Sequence, residues 1–96
     1  MSELKIIATI VVKEEFKEEL FPAFEAVVEG TRKEEGNVSY QLHQDVKNPL
    51  KYIFVEVWAS LAAIDSHNAS AHFDAFAKAI AGKVDNVDIT IVRQVI

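Results

Sequence analysis

The sequence contains no cysteine and little glycine or proline. Its 96 residues include no Cys, only 3 Gly and only 2 Pro. The lack of cysteine excludes disulfide bonds, thiolate metal sites and a cysteine nucleophile. Loops long enough to build an elaborate site are not expected from so few turn residues. Any chemistry is therefore expected in a pocket between packed helices and strands.

Basic clusters and long apolar runs are also missing. The formal net charge is −5, from 15 acidic and 10 basic residues, and only Arg32-Lys33 places two basic residues together. No patch could follow a phosphate backbone, so nucleic acid binding is not expected. No apolar run approaches the ~18 residues of a membrane span. Residues 1–5 lack the basic start of a signal peptide, so a cytoplasmic location is the default expectation.

The hydrophobic pattern predicts one domain over residues 1–96 with the order βαββ(αα)β. This is a ferredoxin-like βαββαβ fold of the α+β class. The predicted strands are 4–12, 38–45, 52–58 and 87–96, and the predicted helical segments are 13–34, 60–67 and 70–82.

Local signals refine these boundaries. Pro22 predicts a kink, or a short helical turn followed by a helix that starts at Phe21 or Pro22. Gly36 is expected to end that helix in the left-handed conformation. Ser60 and Ser70 are expected to act as N-caps of the two later helical segments.

The predicted helices can cover only one face of the predicted four-stranded sheet. Helices pack on one face only, yet the first strand is apolar on both, with Ile7 and Val11 on the second face. A second copy of the same sheet is the simplest cover for that face. The sequence therefore predicts a homodimer.

One face of the third predicted strand is the best candidate for a ligand wall. A ring-lined wall with one carboxylate and one indole N–H suits a flat aromatic ligand. Alternatively, the rings are ordinary core residues and the carboxylate pairs with Arg32 or Arg93. The residues of this face are Tyr52, Phe54, Glu56 and Trp58.

Three histidines are the side chains whose ordinary pKa lies near neutrality. His67 and His72 lie about 140° apart on a continuous helix, which does not suit two ligands of one metal. A break near residues 69–70 could turn both inward. His43 is expected to face solvent or a partner subunit. Each histidine could equally be structural, the pair Glu34-Glu35 is expected on a solvated helix face, and no metal site is predicted.

The motifs resemble those of a known family. Thr31 to Tyr40 (TRKEEGNVSY) is similar to the T-R-x-E-x-G-x-x-x-Y signature of the antibiotic biosynthesis monooxygenase (ABM) family. Leu42-His43, Asn48-Pro49 and Glu56-Val57-Trp58 follow at the expected intervals. Residues 67–73 (HNASAHF) resemble the family's H-x-x-S-x-H-F element. The match spans essentially the whole chain.

The resemblance implies a dimeric α+β barrel with one pocket under the helices of each protomer. It also implies an oxygenase that uses no metal, flavin or heme and that oxidises quinol-like or anthrone-like aromatics with O2. Catalytic roles are implied for Trp58, His67 and His72. The residues implied in substrate binding are Arg32, His43, Phe54, Glu56 and Phe73.

Other functions stay open at this point. One alternative is an isomerase of a small polar metabolite, and another is a small-molecule-binding module without turnover. Heme-degrading relatives of the family combine an Asn on a strand with a pocket Trp and a helical His that binds iron. Heme degradation is disfavoured here, because the first strand has no Asn and Thr9 is its nearest polar substitute. The interval from Trp58 to His67 is also one residue short for that chemistry.

Overall fold

The computed structural model describes residues 3–96, which form a four-stranded sheet and three α-helices. A short 3-10 turn, Glu14–Phe16, precedes the first helix. The elements are β1 (Leu4–Val12), α1 (Lys17–Arg32), β2 (Asn37–Gln44), β3 (Lys51–Trp58), α2 (Leu61–Asn68), α3 (Ala71–Ile80) and β4 (Val84–Val92). This order confirms the predicted ferredoxin-like fold.

The sheet is antiparallel throughout, with the strand order β2-β3-β1-β4. The central strand β1 pairs with both β3 and β4, so that Ile7 lies opposite Val55 on one side and Thr90 on the other. β4 and β2 are the two edge strands. None of the helices within residues 3–96 has the length and apolar character needed to cross a membrane.

The three helices cover one face of the sheet. Alternate residues of β1 and β3 are buried on this face, including Ile6 and Phe54, and they pack against Leu20 and Phe24 of α1 and Phe76 of α3. The opposite face carries residues of the other parity. Its apolar members are only half-buried: Ile7, Val11, Ile53, Val55 and Val57. One apolar face is thus left without a helical layer, as the sequence pattern predicted.

The first helix lies within the predicted segment 13–34 and runs through Pro22. α1 starts at Lys17, after the short turn Glu14–Phe16, so the alternative of a helix that starts at Phe21 or Pro22 was wrong. An interior proline costs about 3 kcal/mol relative to alanine. Burial of a stripe along the helix outweighs that cost, because Leu20, Phe24 and Val27 are each at most 2% exposed.

The positive backbone dihedral belongs to a different glycine from the one predicted. Gly82, just after α3, has φ = 76°, whereas Gly36 does not have a positive φ. Gly36 is required for another reason: a Cβ at that position would overlap the Ala63 methyl group of α2. The loop after α1 can therefore approach α2 closely.

The remaining boundaries follow from pairing and capping. β4 ends at Val92, which pairs with Lys5 near the start of β1. Residues 93–96 have no strand partner, so the predicted strand to 96 was too long. Both predicted caps are confirmed: Ser60 Oγ accepts from the Ala63 N–H at 3.1 Å, and Ser70 Oγ accepts from the Phe73 N–H at 3.2 Å.

Candidate functional site

A cavity of about 200 Å³ lies between the sheet and the helices α2 and α3. Apolar side chains from both layers form most of its wall. Four lining residues carry polar groups: Tyr40, Glu56, His67 and Asn68. The others are Ile6, Ala8, Ile10, Phe54, Phe73, Phe76, Ala77, Ile80, Val87 and Ile89. The sequence-based expectation of a pocket between sheet and helices agrees with this arrangement.

Strand alternation on β3 places Phe54 and Glu56 in the cavity wall. Trp58 follows on the same face, but it is fully buried and does not line the cavity. Its indole Nε1–H donates to Glu56 Oε1 at 2.9 Å. Glu56 is therefore bonded to a residue two positions along its own strand, and the alternative pairing with Arg32 or Arg93 is not what the structure contains.

Glu56 is a buried carboxyl group with an altered affinity for protons. Burial raises its pKa to about 7, the hydrogen bond from Trp58 opposes the shift, and the negative charge of Glu34 adds to it. A carboxyl group of this kind can gain or lose a proton near neutral pH. Burial also raises the pKa of the Tyr40 phenol above its ordinary range, so Tyr40 remains a hydrogen-bond donor.

A compact cluster of Glu34, His67 and His72 stands next to the cavity. The Oε2 atom of Glu34 lies 2.7 Å from His67 Nδ1 and 2.6 Å from His72 Nε2. The three residues come from the loop after α1, the end of α2 and the start of α3. Because α2 stops at Asn68 and α3 starts at Ala71, both histidines turn inward. The sequence analysis considered such a break near residues 69–70 as one way to turn both histidines inward.

Glu34 is the functional residue that sequence reasoning missed. It was expected on a solvated helix face, but its side chain is only 15% exposed. Its neighbour Glu35 is exposed and does match that expectation. Helical periodicity ends at Arg32 and carries no information about the loop beyond it. The signal that could have found Glu34 is the Glu of the T-R-x-E-x-G motif.

Aromatic rings fix the orientation of His67. Its ring centroid lies 4.7 Å from that of Trp58, 4.9 Å from Phe73 and 5.7 Å from Tyr40. A carboxylate can only accept, so the contact with Glu34 places the proton on Nδ1 and leaves the Nε2 lone pair free. Burial lowers the pKa of His67, while the hydrogen bond to Glu34 acts in the opposite direction.

His72 is held against the first helix. A Cβ at Gly30 would lie 2.7 Å from His72 Cγ, so only glycine leaves room for the imidazole ring at this point of α1. The side chain of His72 is 27% exposed. It therefore connects the buried cluster to solvent, whereas His67 connects the cluster to the cavity.

Two sequence-predicted site residues lie elsewhere. Arg32 and His43 line an open groove of about 940 Å³ between α1 and the β2 side of the sheet. The Nε–H of Arg32 donates to the Tyr40 carbonyl oxygen at 3.0 Å, and His43 is exposed. Of the predicted residues, Phe54, Glu56, His67 and Phe73 share the cavity. Trp58 contacts both Glu56 and His67, and His72 shares Glu34 with His67.

Fold and site together define a small ferredoxin-like domain with a largely apolar cavity beneath its second and third helices. The family model for antibiotic biosynthesis monooxygenase matches residues 4–79. This match covers most of the chain, and the chain belongs to that family.

Individual relatives agree with this placement. The chain is 38% identical over 69 residues to the Bacillus subtilis (strain 168) protein named "Putative monooxygenase YcnE", covering 72% of this chain and 73% of that protein. A crystal structure of an antibiotic biosynthesis monooxygenase superposes with a TM-score of 0.92 at 31% identity, covering 96% of this chain and 98% of the other. The crystal structure of a conserved protein from Methanosarcina mazei Go1 superposes with a TM-score of 0.92 at 28% identity, covering 98% of this chain and 94% of the other.

Proposed function

We propose that this protein is a cofactor-independent monooxygenase that oxidises an electron-rich, quinol-like aromatic substrate with O2. The observation that carries the proposal is the position of His67 in the wall of a largely apolar cavity that also contains the rings of Tyr40, Phe54, Phe73 and Phe76. Its Nδ1 is bonded to Glu34, so that a basic nitrogen remains for the ligand. Family membership and the name of the Bacillus subtilis relative support a monooxygenase-like role.

The cavity favours a small, flat, largely apolar ligand. Its volume of about 200 Å³ is below the ~300–1,000 Å³ of common small-molecule sites. A substrate of one or two rings is therefore favoured over a three-ring anthrone. Rings such as Phe54 and Phe73 can stack on an aromatic ligand. A small polar metabolite would leave many of its hydrogen bonds unmade against this wall, which argues against the isomerase alternative.

The proposed reaction begins with proton removal. His67 Nε2 takes the proton from a phenolic oxygen, and Glu34 stabilises the resulting imidazolium through Nδ1–H, as in other carboxylate–histidine pairs. The electron-rich phenolate transfers one electron to O2, and recombination at a ring carbon forms a C–O bond and a peroxide. Loss of water from the peroxide leaves a carbonyl group. One quinol and one O2 thus give one hydroxyquinone and one water.

Other lining residues have supporting roles. Glu56, with a pKa of about 7, can supply the proton that leaves with water. Tyr40 lines the same cavity and can donate to a substrate oxygen. Trp58 is a positioning residue, because its N–H holds Glu56 and its ring packs on His67. His72 shares Glu34 and thereby helps to fix the carboxylate.

The homodimer predicted from the sequence is part of the proposal. The face of the sheet opposite the helices displays half-buried Ile7, Ile53, Val55 and Val57, and an apolar surface of this kind is typical of a subunit interface. Two sheets that face each other would bury it. Light scattering during gel filtration should give twice the 10.7 kDa protomer mass. Val55→Lys should lower that mass to the monomer value, and a monomeric unaltered protein would contradict the proposal.

The activity is tested by O2 uptake with metal-stripped protein and a panel of one- and two-ring quinols plus an anthrone. Buffer autoxidation is subtracted, and ¹⁸O2 identifies the product. We expect uptake with one or more quinols and one ¹⁸O atom in each product molecule. Incorporation of ¹⁸O from labelled water instead of O2 would contradict a monooxygenase.

Two variants distinguish the cavity from the open groove. His67→Gln should lower turnover by about 100-fold or more, in the range of a lost general base. His43→Gln makes the same chemical change in the groove. A large loss in His43→Gln with little loss in His67→Gln would move the active site from the cavity to the groove.

A further inference from the structure

We propose that Glu34, His67 and His72 form a binding site for one divalent transition-metal ion. No metal site was predicted from the sequence, because His67 and His72 were considered without a third group. In the structure, Glu34 Oε2, His67 Nδ1 and His72 Nε2 all lie within 4.8 Å of one another. Two imidazoles and one carboxylate are a common ligand set for such ions.

Without a metal, hydrogen bonds from both histidines to Glu34 hold the three ligand atoms together, and a metal would require small movements of these side chains. Metal–ligand bonds of about 2.0–2.2 Å place neighbouring ligand atoms about 2.9–3.4 Å apart. The carboxylate oxygen now lies 2.7 Å and 2.6 Å from the two nitrogens. It therefore needs to withdraw by about 0.2–0.8 Å, and the two ring nitrogens, which lie within 4.8 Å of each other, must also come to a separation of about 2.9–3.4 Å. Glu34 belongs to a loop, where a movement of this size requires no helix to shift.

The surroundings hold His67 in place, so the approach of the two nitrogens falls mainly to the partly exposed side chain of His72. His67 is packed among the Trp58, Phe73 and Tyr40 rings. Gly30 provides the space in which the His72 ring lies on α1. Partial exposure of His72 gives an ion access from solvent without opening the cavity.

The donor set selects the kind of ion. Neutral imidazoles favour Zn²⁺, Co²⁺, Ni²⁺, Cu²⁺ and Fe²⁺, while Mg²⁺ and Ca²⁺ prefer sites made of oxygen atoms. The site therefore takes Zn²⁺ or Co²⁺ in preference to Mg²⁺ or Ca²⁺. The three protein ligands leave at least one position for water.

Metal binding has a chemical consequence for His67. A metal on Nδ1 occupies the nitrogen that now carries the proton, so the neutral ring must carry its proton on Nε2. Nε2 of His67 then becomes a hydrogen-bond donor and cannot accept a proton from a ligand. This consequence rests on the proposed function, whereas metal binding itself does not. Bound Zn²⁺ should therefore inhibit the proposed oxygenation.

The binding test uses untagged, chelator-treated protein and Co²⁺. We expect one Co²⁺ per protomer with a visible ligand-field spectrum, and displacement of Co²⁺ by Zn²⁺. Glu34→Gln and His72→Gln should each weaken binding by more than about 100-fold, because even residues that only support ligands contribute about 10–100-fold. Glu35→Gln and His43→Gln are the matched controls. Equal weakening in the controls, or no saturable binding, would overturn the site.

A second measurement needs no variant and therefore does not depend on variant folding. Long-range ¹H–¹⁵N spectra of the unaltered protein report which ring nitrogen of each histidine carries a proton. Zn²⁺ should move the His67 proton from Nδ1 to Nε2 and should perturb Nε2 of His72. Changes at His43 alone would overturn the site. If His67 responds and Zn²⁺ leaves O2 uptake unchanged, the base assignment fails while the metal site stands.

Discussion

Two concave regions of this molecule, the cavity and the open groove, are built in opposite ways. The cavity beneath α2 and α3 is small, mostly apolar and holds the buried groups Glu56 and His67. The groove beside α1 is several times larger and open, and it mixes acidic and basic side chains such as Glu25, Glu29 and Lys33. Size alone would select the groove. We place the proposed chemistry in the cavity, because burial there alters the proton affinity of Glu56 and His67, which would be ordinary in water.

The largest expected difference between the two regions is in stability. Phe54 lies in the cavity wall, is 2% exposed and packs against Tyr40, Phe24 and Phe76. Phe54→Ala should lower the free energy of unfolding by about 3–5 kcal/mol. Phe21 lines the groove and is 49% exposed, so Phe21→Ala should stay within about 0.5 kcal/mol. Urea denaturation at one fixed protomer concentration measures both, and equal losses would contradict the comparison.

The next expected effect is a pH-dependent contribution of the buried Glu56 carboxyl group to the free energy of unfolding. Glu56 has a pKa of about 7 in the folded protein, against 4.5 as its ordinary value. The folded state therefore holds the proton more tightly, and this contribution to stability declines as pH rises from about 4.5 to about 7. Its full size is about 3 kcal/mol, from about 1.4 kcal/mol for each pKa unit.

Glu56→Gln should remove this pH dependence. The amide stays neutral, and its carbonyl oxygen can still accept from Trp58. Stability of the variant relative to the unaltered protein should thus increase across that window and level off above about pH 7.5. Parallel stability curves for the two proteins would contradict the buried carboxyl group.

A smaller difference separates two adjacent acidic residues. Glu34 accepts hydrogen bonds from His67 and His72, and the neutral oxygen of an amide is a weaker acceptor for both than the carboxylate. Glu34→Gln should lower the free energy of unfolding by about 1–3 kcal/mol, because a buried donor loses a charged acceptor. Glu35→Gln should stay within about 0.5 kcal/mol. Thermal unfolding at neutral pH measures both, and similar values would show that the cluster contributes nothing to stability.

The smallest expected effect concerns the junction between α2 and α3. Ser70 Oγ accepts from the Phe73 N–H and donates to the His67 carbonyl oxygen at 2.7 Å. Ser70→Ala should cost about 1 kcal/mol, as for other N-caps. Ser66→Ala, on the exposed side of α2, is the control and should cause almost no loss. An equal effect of the two changes would contradict the capping role.

The fold was largely readable from local patterns. Alternation along β3 separated the buried face of Phe54 and Glu56 from its opposite face, and Ser60 and Ser70 marked both helix starts. The start of α1 was not readable, because the cost of Pro22 is local while the burial that outweighs it comes from the sheet. Tertiary contacts decided that boundary.

Only part of the candidate site could be predicted from the sequence. The motifs pointed to His67 and His72, and the break between α2 and α3 was one option that the spacing left open. Glu34 was missed because a loop residue has no periodicity, and its partners lie 33 and 38 positions along the chain. The hydrogen bond from Trp58 to Glu56 could have been predicted from the sequence, because residues two apart on a strand share one face.

The edge strand β4 has a consequence for how this protein can change. Val87 and Ile89 line the cavity, yet they are 45% and 56% exposed, because β4 lies at the margin of the helical layer. Replacing them alters the shape of the ligand space and removes little buried surface. Changes at these two positions can therefore alter the size of the ligand that the cavity accepts while the residues that hold His67 stay intact. The fold separates the part of the cavity that tolerates substitution from the part to which we assign the proposed reaction.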